Sequence, residues 1–238
     1  MGRLNRRIAR FFGYDLMRYN KSFRFDATMD RLLRNFSFDC VIDVGANVGG
    51  FSQLCLNRLA TAPIHAFEPA GDLARELTQR ATGEPRWHVV RSALGDEIGQ
   101  ASLNISRTKS VFNSLSQADP AFAAQIEGLD FAGSEDVPIS TLDRYAADNG
   151  LGRYTDILLK VDTQGHDFKV LKGARETLGR TRCVIVELPF QNIYRSSDNH
   201  KDILAFMDEA GFDIYSLSPI SSDDKGALIE ADGFFMRR

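Results

Sequence analysis

The chain is poor in cysteine. It contains 3 cysteines, Cys40, Cys55 and Cys183, and no two stand at metal-ligand spacing or form a close pair. That argues against a zinc site or a disulfide scaffold; Cys40 and Cys183 each open an apolar run and read as buried thiols, a pattern suited to a reducing compartment. No apolar run approaches the roughly 20 residues needed to cross a bilayer. The basic N-terminus lacks the uninterrupted apolar core of a secretion signal, so the chain is expected in the cytoplasm. With a formal net charge of −3 over 238 residues there is no overall pull toward nucleic acid, and no nucleic-acid partner is expected.

Charge is unevenly placed. Residues 1 to 24 carry Arg3, Arg6, Arg7, Arg10, Arg18, Lys21 and Arg24 against Asp15 alone, and a helical projection puts Leu4, Ile8, Phe11 and Phe12 on one face. Residues 1–37 are read as a basic amphipathic helical extension. Its apolar side could cover the body of the protein or touch a membrane surface.

From residue 38 to 238 apolar runs of strand length alternate with helix-period segments, the pattern of a doubly wound α/β domain. The strands expected are CVIDVGA (40–46), PIHAFEP (63–69), WHVVRSAL (87–94), DILLKVD (156–162), CVIVELP (183–189) and FDIYSLS (212–218). Residues 101–140 break the rhythm: two short strand-like pieces, ASLNIS and DVPIS, flank a stretch of little periodicity that reads as an insertion of loop and irregular helix. The C-terminal ALIEADGFFMRR reads as a hairpin whose last strand pairs antiparallel, at the edge of the sheet or inside it.

The stretch CVIDVGANVGGFS runs from a strand into a glycine-rich turn and a helix. A triphosphate loop would need Lys and Ser or Thr after the glycines, but Phe51 follows Gly49 and Gly50. A dinucleotide turn needs a second glycine where this chain has Asn47, whose side chain would keep the backbone from a pyrophosphate. Asp43, at the strand end, would repel phosphate and attract a cation. S-adenosylmethionine (SAM), with a sulfonium and an ammonium and no phosphate, answers that requirement; Asp43 could otherwise serve only to tether the turn. Glu68 follows Asp43 by 25 positions, near the roughly 20-residue interval at which an acid grips a ribose diol. Asp96, in SALGD, is a candidate for the adenine amino group or an ordinary exposed turn acid.

Further along, Lys160 and Asp162 alternate onto one face of a strand end. An ion pair between them would keep Asp162 ionised to orient or deprotonate an acceptor. His166, at a helix start, is a second candidate base, because a helix N-terminus disfavours the imidazolium. Glu187 ends the next strand and could meet the acceptor.

The ordered set IDVGANVGGFS, HAFEP, SALGD, STLD, LLKVDTQGHDFKVLKGA and VIVEL, spanning about residues 38–215, resembles the FkbM family of SAM-dependent methyltransferases. The resemblance implies a class I methyltransferase fold, a Rossmann-like seven-stranded sheet, mostly parallel with one antiparallel strand. SAM would lie across the C-terminal ends of the first strands. Carried over, its site comprises Asp43, Gly45, Asn47, Gly49, Glu68 and Asp96; Asp162, His166 and Lys160 become the catalytic candidates; Glu187, Asn113 and Ser114 fall near the acceptor or cofactor. Where the family commonly reads KIDVEGAE, this chain has Gln164, His166 and Asp167. That leaves a thin oxygen shell, and no divalent metal is expected. The implied activity is O-methylation of a hydroxyl, foremost on a sugar of a glycan, glycolipid or glycosylated metabolite. Two alternatives stand beside it: a polyketide or peptide hydroxyl as acceptor, or a SAM-binding module without catalysis. A basic leader is also common among family members tied to cell-surface polysaccharides, which implies peripheral contact of residues 1–24 with the inner membrane face. Acceptor specificity is expected in residues 106–136 and 189–200.

Overall fold

The structure is a computed structural model that describes residues 24–107, 110–116, 131–191 and 199–238. The segment whose helical face carries Leu4, Ile8, Phe11 and Phe12 lies outside the described residues. The first described helix, α1 (Phe25–Asn35), has Asp26 in its first turn and Arg34 in its last, each matching the helix dipole. Met29 and Leu32 are wholly buried on one face, which stabilises its seat against the sheet by roughly 3–6 kcal/mol. The chain leaves helical geometry at Phe36.

Seven strands form the main sheet: β1 (Cys40–Val44), β2 (Ile64–Phe67), β3 (Trp87–Val90), β7 (Ile157–Val161), β8 (Thr181–Pro189), β9 (Phe212–Ser222) and β10 (Leu228–Arg237). Their order is β3-β2-β1-β7-β8-β10-β9. All pairings are parallel except those of β10, which is antiparallel to both β8 and β9. Strands covered on both sides read as continuous apolar runs. Alternate residues feed two cores. Ile42, Leu159 and Val184 pack toward α4 (Leu142–Asp148), α5 (Asp167–Lys172) and α7 (His200–Glu209), whereas Val41, Leu158 and Ile185 pack toward α1, α2 (Gly50–Arg58) and α3 (Gly71–Ala81). A short helix, α6 (Arg175–Leu178), leads into β8. β10 sits inside the sheet because adjacent Phe234 and Phe235 are both buried, one in each core.

One expectation changes. WHVVRSAL is not one strand: β3 ends at Val90, and β4 (Ala93–Leu94) pairs parallel with β6 (Phe131–Ser140) in a second sheet that also holds β5 (Gly99–Ser106), in the order β4-β6-β5. The strand-like pieces ASLNIS and DVPIS both fall in this sheet, with β5 antiparallel to β6, and most of the stretch between them lies outside the described residues. Alternation of Leu103 on β5 with Val137 and Ile139 on β6 gives this small sheet its own core with Ala70 and Ala93.

Parallel order brings the C-terminal ends of β1, β2 and β7 to one rim. Ligands bind there in open α/β sheets, where the connections diverge to opposite faces.

Candidate active site

A cavity of about 440 Å³ opens at that rim. Its lining runs from the β1 turn (Asp43 to Asn47) through Glu68 and Pro69 after β2 and Ser92 to Leu94 at β4 to Lys160, Asp162 and Gln164 after β7.

The β1 turn is shaped by two close approaches. Gly45 has φ +79°, and a Cβ there would fall 1.8 Å from the Asp162 carbonyl oxygen. Gly49, at φ +81°, opens α2 against Leu77 and Trp87. Between them Asn47 also takes left-handed backbone, φ +50°, which its short polar side chain tolerates.

Asp43 is fully buried and its Oδ2 accepts the Ser52 hydroxyl of α2 at 2.6 Å. Its Oδ1 has no partner. Burial raises the Asp43 carboxyl above the ordinary range; Lys160, opposite it in the β1–β7 register, only partly offsets this. Glu68, 4% exposed, spans the turn: Oε2 accepts the Asn47 N–H at 2.8 Å and Oε1 the Ala70 N–H at 2.9 Å. Burial lifts it to about 7 against those two bonds.

These features fit SAM. An orphaned carboxylate oxygen in a phosphate-repelling turn calls for a cation, and Glu68 keeps lone pairs on the cavity side for a ribose diol. Asp43, Gly45, Asn47 and Glu68 would hold the cofactor, with Gly49 fixing α2 behind them. Ser92, Ala93 and Leu94 complete this half.

On the other half, Lys160 Nζ lies 2.8 Å from Asp162 Oδ2. Burial works against the Lys160 charge, but Asp162 and Asp43 outweigh it and hold the ammonium above its usual range. Burial likewise opposes the Asp162 charge, and Lys160 together with the Gln164 amide holds it low. Phe51 closes the floor, its ring 5.8 Å from Lys160 Nζ, and Phe25 packs edge-on to Phe51 at 6.4 Å.

Other candidates fall elsewhere. Asp96 lines no part of this cavity and pairs with Lys172 at 2.9 Å. His166 is buried beside Gly95 rather than facing the cavity, and its Nε2 has no partner. Burial, more than the helix terminus, takes its pKa to about 4, with Lys169 assisting. Glu187 stands behind Gln164, whose Nε2 donates to its Oε2 at 3.2 Å. Asn113 lines the cavity and accepts the Ser106 N–H at 2.8 Å, while Ser114 donates to the Gln164 carbonyl at 2.5 Å. Among the described residues, no group of three or more His, Cys, Asp or Glu is placed to hold a metal ion, and no helix is long and apolar enough to cross a membrane.

Sequence reasoning missed Ser52, which holds Asp43 from behind the cavity, and also Ser92 and the α1 residues Phe25 and Asp26, which line it. Ser52 carried a usable signal, lying on the first turn of the helix that the glycine turn opens.

The strand order, the glycine turn after β1 and the acid after β2 define a class I methyltransferase fold. Residues 43–214 match the methyltransferase FkbM domain, and the chain belongs to that family. It is 26% identical over 174 residues to the hexuronic acid methyltransferase AglP of Haloferax volcanii, covering 72% of this chain and 62% of AglP. It is 25% identical over 159 residues to the 2-O-methyltransferase NoeI of Sinorhizobium fredii, covering 65% of each. The matched stretch is therefore less than two thirds of either relative. The fold is shared with a putative SAM-dependent methyltransferase from Listeria monocytogenes, at TM-score 0.50, 8% identity and coverage of 89% of this chain and 96% of that one.

Proposed function

We propose that the protein transfers a methyl group from SAM to a hydroxyl of a sugar in a glycan, glycolipid or glycosylated metabolite. The observation that carries this reading is the Lys160–Asp162 pair, on the wall of the cavity whose other side fits SAM. AglP and NoeI, whose names specify a hexuronic acid and a 2-O position, support a sugar hydroxyl as acceptor.

When bound, SAM supplies an electrophilic methyl on a sulfonium. An alcohol is a poor nucleophile while it keeps its proton, so the protein must align the oxygen and take that proton as the O–C bond forms. Asp162 does both: it is held ionised by Lys160, it lines the cavity, and its side chain keeps 35% of its surface open, through which the proton can leave to solvent. Lys160 cannot act as the base while its ammonium is held charged between Asp43 and Asp162.

The test is incubation with methyl-labelled SAM and an extract from cells lacking the gene, followed by partition of the label. Label in a glycolipid or polysaccharide fraction, abolished by Glu68→Ala, supports the reading. Label in small organic-soluble products alone would replace the sugar with a metabolite hydroxyl. SAM binding without any transfer would make this a cofactor-binding module. Peripheral membrane contact through residues 1–24 belongs to the same proposal and is tested by deleting them and measuring vesicle partitioning and transfer.

A further inference from the structure

The charge cluster around Asp162 extends past the cavity wall, and Gln164 divides it. Four carboxylates gather here, and two of them, Asp162 and Asp232, act directly on the Lys160 ammonium. Asp162 follows β7; Glu187 is on β8; Asp232, opposite Glu187 in the register, and Glu230 are on β10. Asp43 faces the same ammonium from β1, Asp167 of α5 faces Glu187, and Asp26 of α1 lines the same cavity. β10 lies outside the residues that match the family domain. So many acids cannot all ionise around one ammonium, and the protons must be apportioned among them.

Gln164 takes left-handed backbone, φ +55°, a conformation costly for a residue with a side chain. Its side-chain nitrogen donates to Asp162 Oδ1 at 3.1 Å and to Glu187 Oε2 at 3.2 Å. An amide nitrogen has two hydrogens and accepts none, so both are committed to carboxyl oxygens. The strained turn is pinned from the other side. Ser114 Oγ donates to the Gln164 carbonyl at 2.5 Å and Ser116 Oγ to the Gly165 carbonyl at 2.8 Å. Beyond Glu187, Glu230 is hydrogen-bonded to it and accepts the Ser221 hydroxyl at 3.3 Å.

We propose that Gln164 is a positioning residue whose amide bridges Asp162 and Glu187, fixing Asp162 as the ionised carboxylate that faces the acceptor while the cluster's proton stays on the Glu187–Glu230 pair. This rests on the methyl-transfer reading. Asp162 has two stabilising partners, an ammonium and an amide; Glu187 has the same amide but also the Asp162 charge and burial against it. The directions agree, with Asp162 held low and Glu187 raised by burial first and by Asp162 second.

The test uses Gln164→Gly and Gln164→Glu in the full chain, read by carboxyl 13C NMR titration without ligands, by thermal unfolding and by the pH profile of kcat. Glycine suits the left-handed backbone, which offsets the stability lost with the amide's bonds, so Gln164→Gly should melt near the wild type. Losing a hydrogen bond to a charged group should raise the Asp162 midpoint by about one pH unit and move the acid limb of kcat with it. Gln164→Glu adds another carboxylate and should raise both further, with KM for SAM unchanged. A Gln164→Gly protein whose Asp162 titrates as in the wild type would overturn the proposal, as would lower stability with no pH shift. If the midpoint shifts but wild-type protein methylates nothing, the bridge stands and the methyl-transfer reading falls; if wild-type protein methylates and the midpoint does not shift, only the bridge falls.

Discussion

Replacing Gly45 by alanine tests the link between the cofactor turn and Asp162. The added Cβ would fall 1.8 Å from the Asp162 carbonyl oxygen and 2.8 Å from its carbonyl carbon. Carbon and oxygen sit comfortably at about 3.3 Å, so one backbone must retreat by about 1.5 Å. The retreat would disrupt the bond from the Asp162 N–H to the Val44 carbonyl, now 3.0 Å. Left-handed backbone at φ +79° adds about 1–2 kcal/mol for an L-residue, overpacking about 1–3 and the lost bond about 1. The total, about 3–6 kcal/mol, corresponds to a melting-point fall on the order of 10 °C for a chain of this size. Gly83→Ala is the control: its φ is +88°, nothing lies within 4 Å of its Cβ, and it pays the backbone cost alone. Differential scanning calorimetry and titration calorimetry with SAM measure both consequences. Should Gly45→Ala melt with Gly83→Ala and bind SAM like the wild type, the close approach does not shape the site.

Two buried groups should impose opposite pH slopes on stability. Glu68 titrates near 7 folded and near 4.5 unfolded, so the folded state holds the extra proton; stability is fully present below 4.5 and is lost as pH rises through 7. Glu68→Gln should remove up to about 3 kcal/mol of that dependence, measured as urea midpoints from pH 5 to 8. His166 runs the other way: its folded pKa of about 4 lies below 6.5, so its contribution is present above 6.5 and is lost as pH falls toward 4. His166→Gln should flatten that acid-side loss, and the wild-type kcat profile should show no limb near 6.5 attributable to it. Asp96→Ala should change SAM affinity less than threefold by calorimetry, because Asp96 faces Lys172 outside the cavity, whereas a loss comparable to that of Glu68→Ala would return it to the site.

The parts of this site that were readable in the sequence are those set by neighbours along the chain. Asp43 and Glu68 end strands, and alternation alone puts Lys160 and Asp162 together; both reach the cavity wall. What could not be read depends on register between distant strands. The break at Arg91 and Ser92 is invisible in WHVVRSAL because Ala93 and Leu94 are as apolar as a continuing strand; only pairing with Ile139 and Ser140 moves them into the second sheet. His166 stands at a helix start as expected, but its approach to Gly95, far away in sequence, buries it away from the cavity. The role of Gln164 follows from β7 and β8 standing side by side, which brings Glu187 within reach from 23 positions away.

The placement of Lys160 explains how the two halves of the cavity depend on each other. It lies opposite Asp43 on one side and bonds Asp162 on the other, so one ammonium faces two carboxylates. Direct contact at 2.8 Å favours Asp162, and Coulomb attraction falls with distance, so Asp43 receives the weaker share. Asp43 is accordingly raised, buried and left with an unpaired oxygen. A second cation is what that arrangement lacks. A sulfonium- and ammonium-bearing cofactor beside Asp43 would provide it without drawing Lys160 away from Asp162, whereas a neutral ligand would leave the oxygen unpaired and an anionic one would compete for the same ammonium. If Asp43 and Asp162 serve as proposed, the acid at the end of β1 would select the charge of the cofactor, and the lysine opposite it would keep that selection from weakening the carboxylate that faces the acceptor.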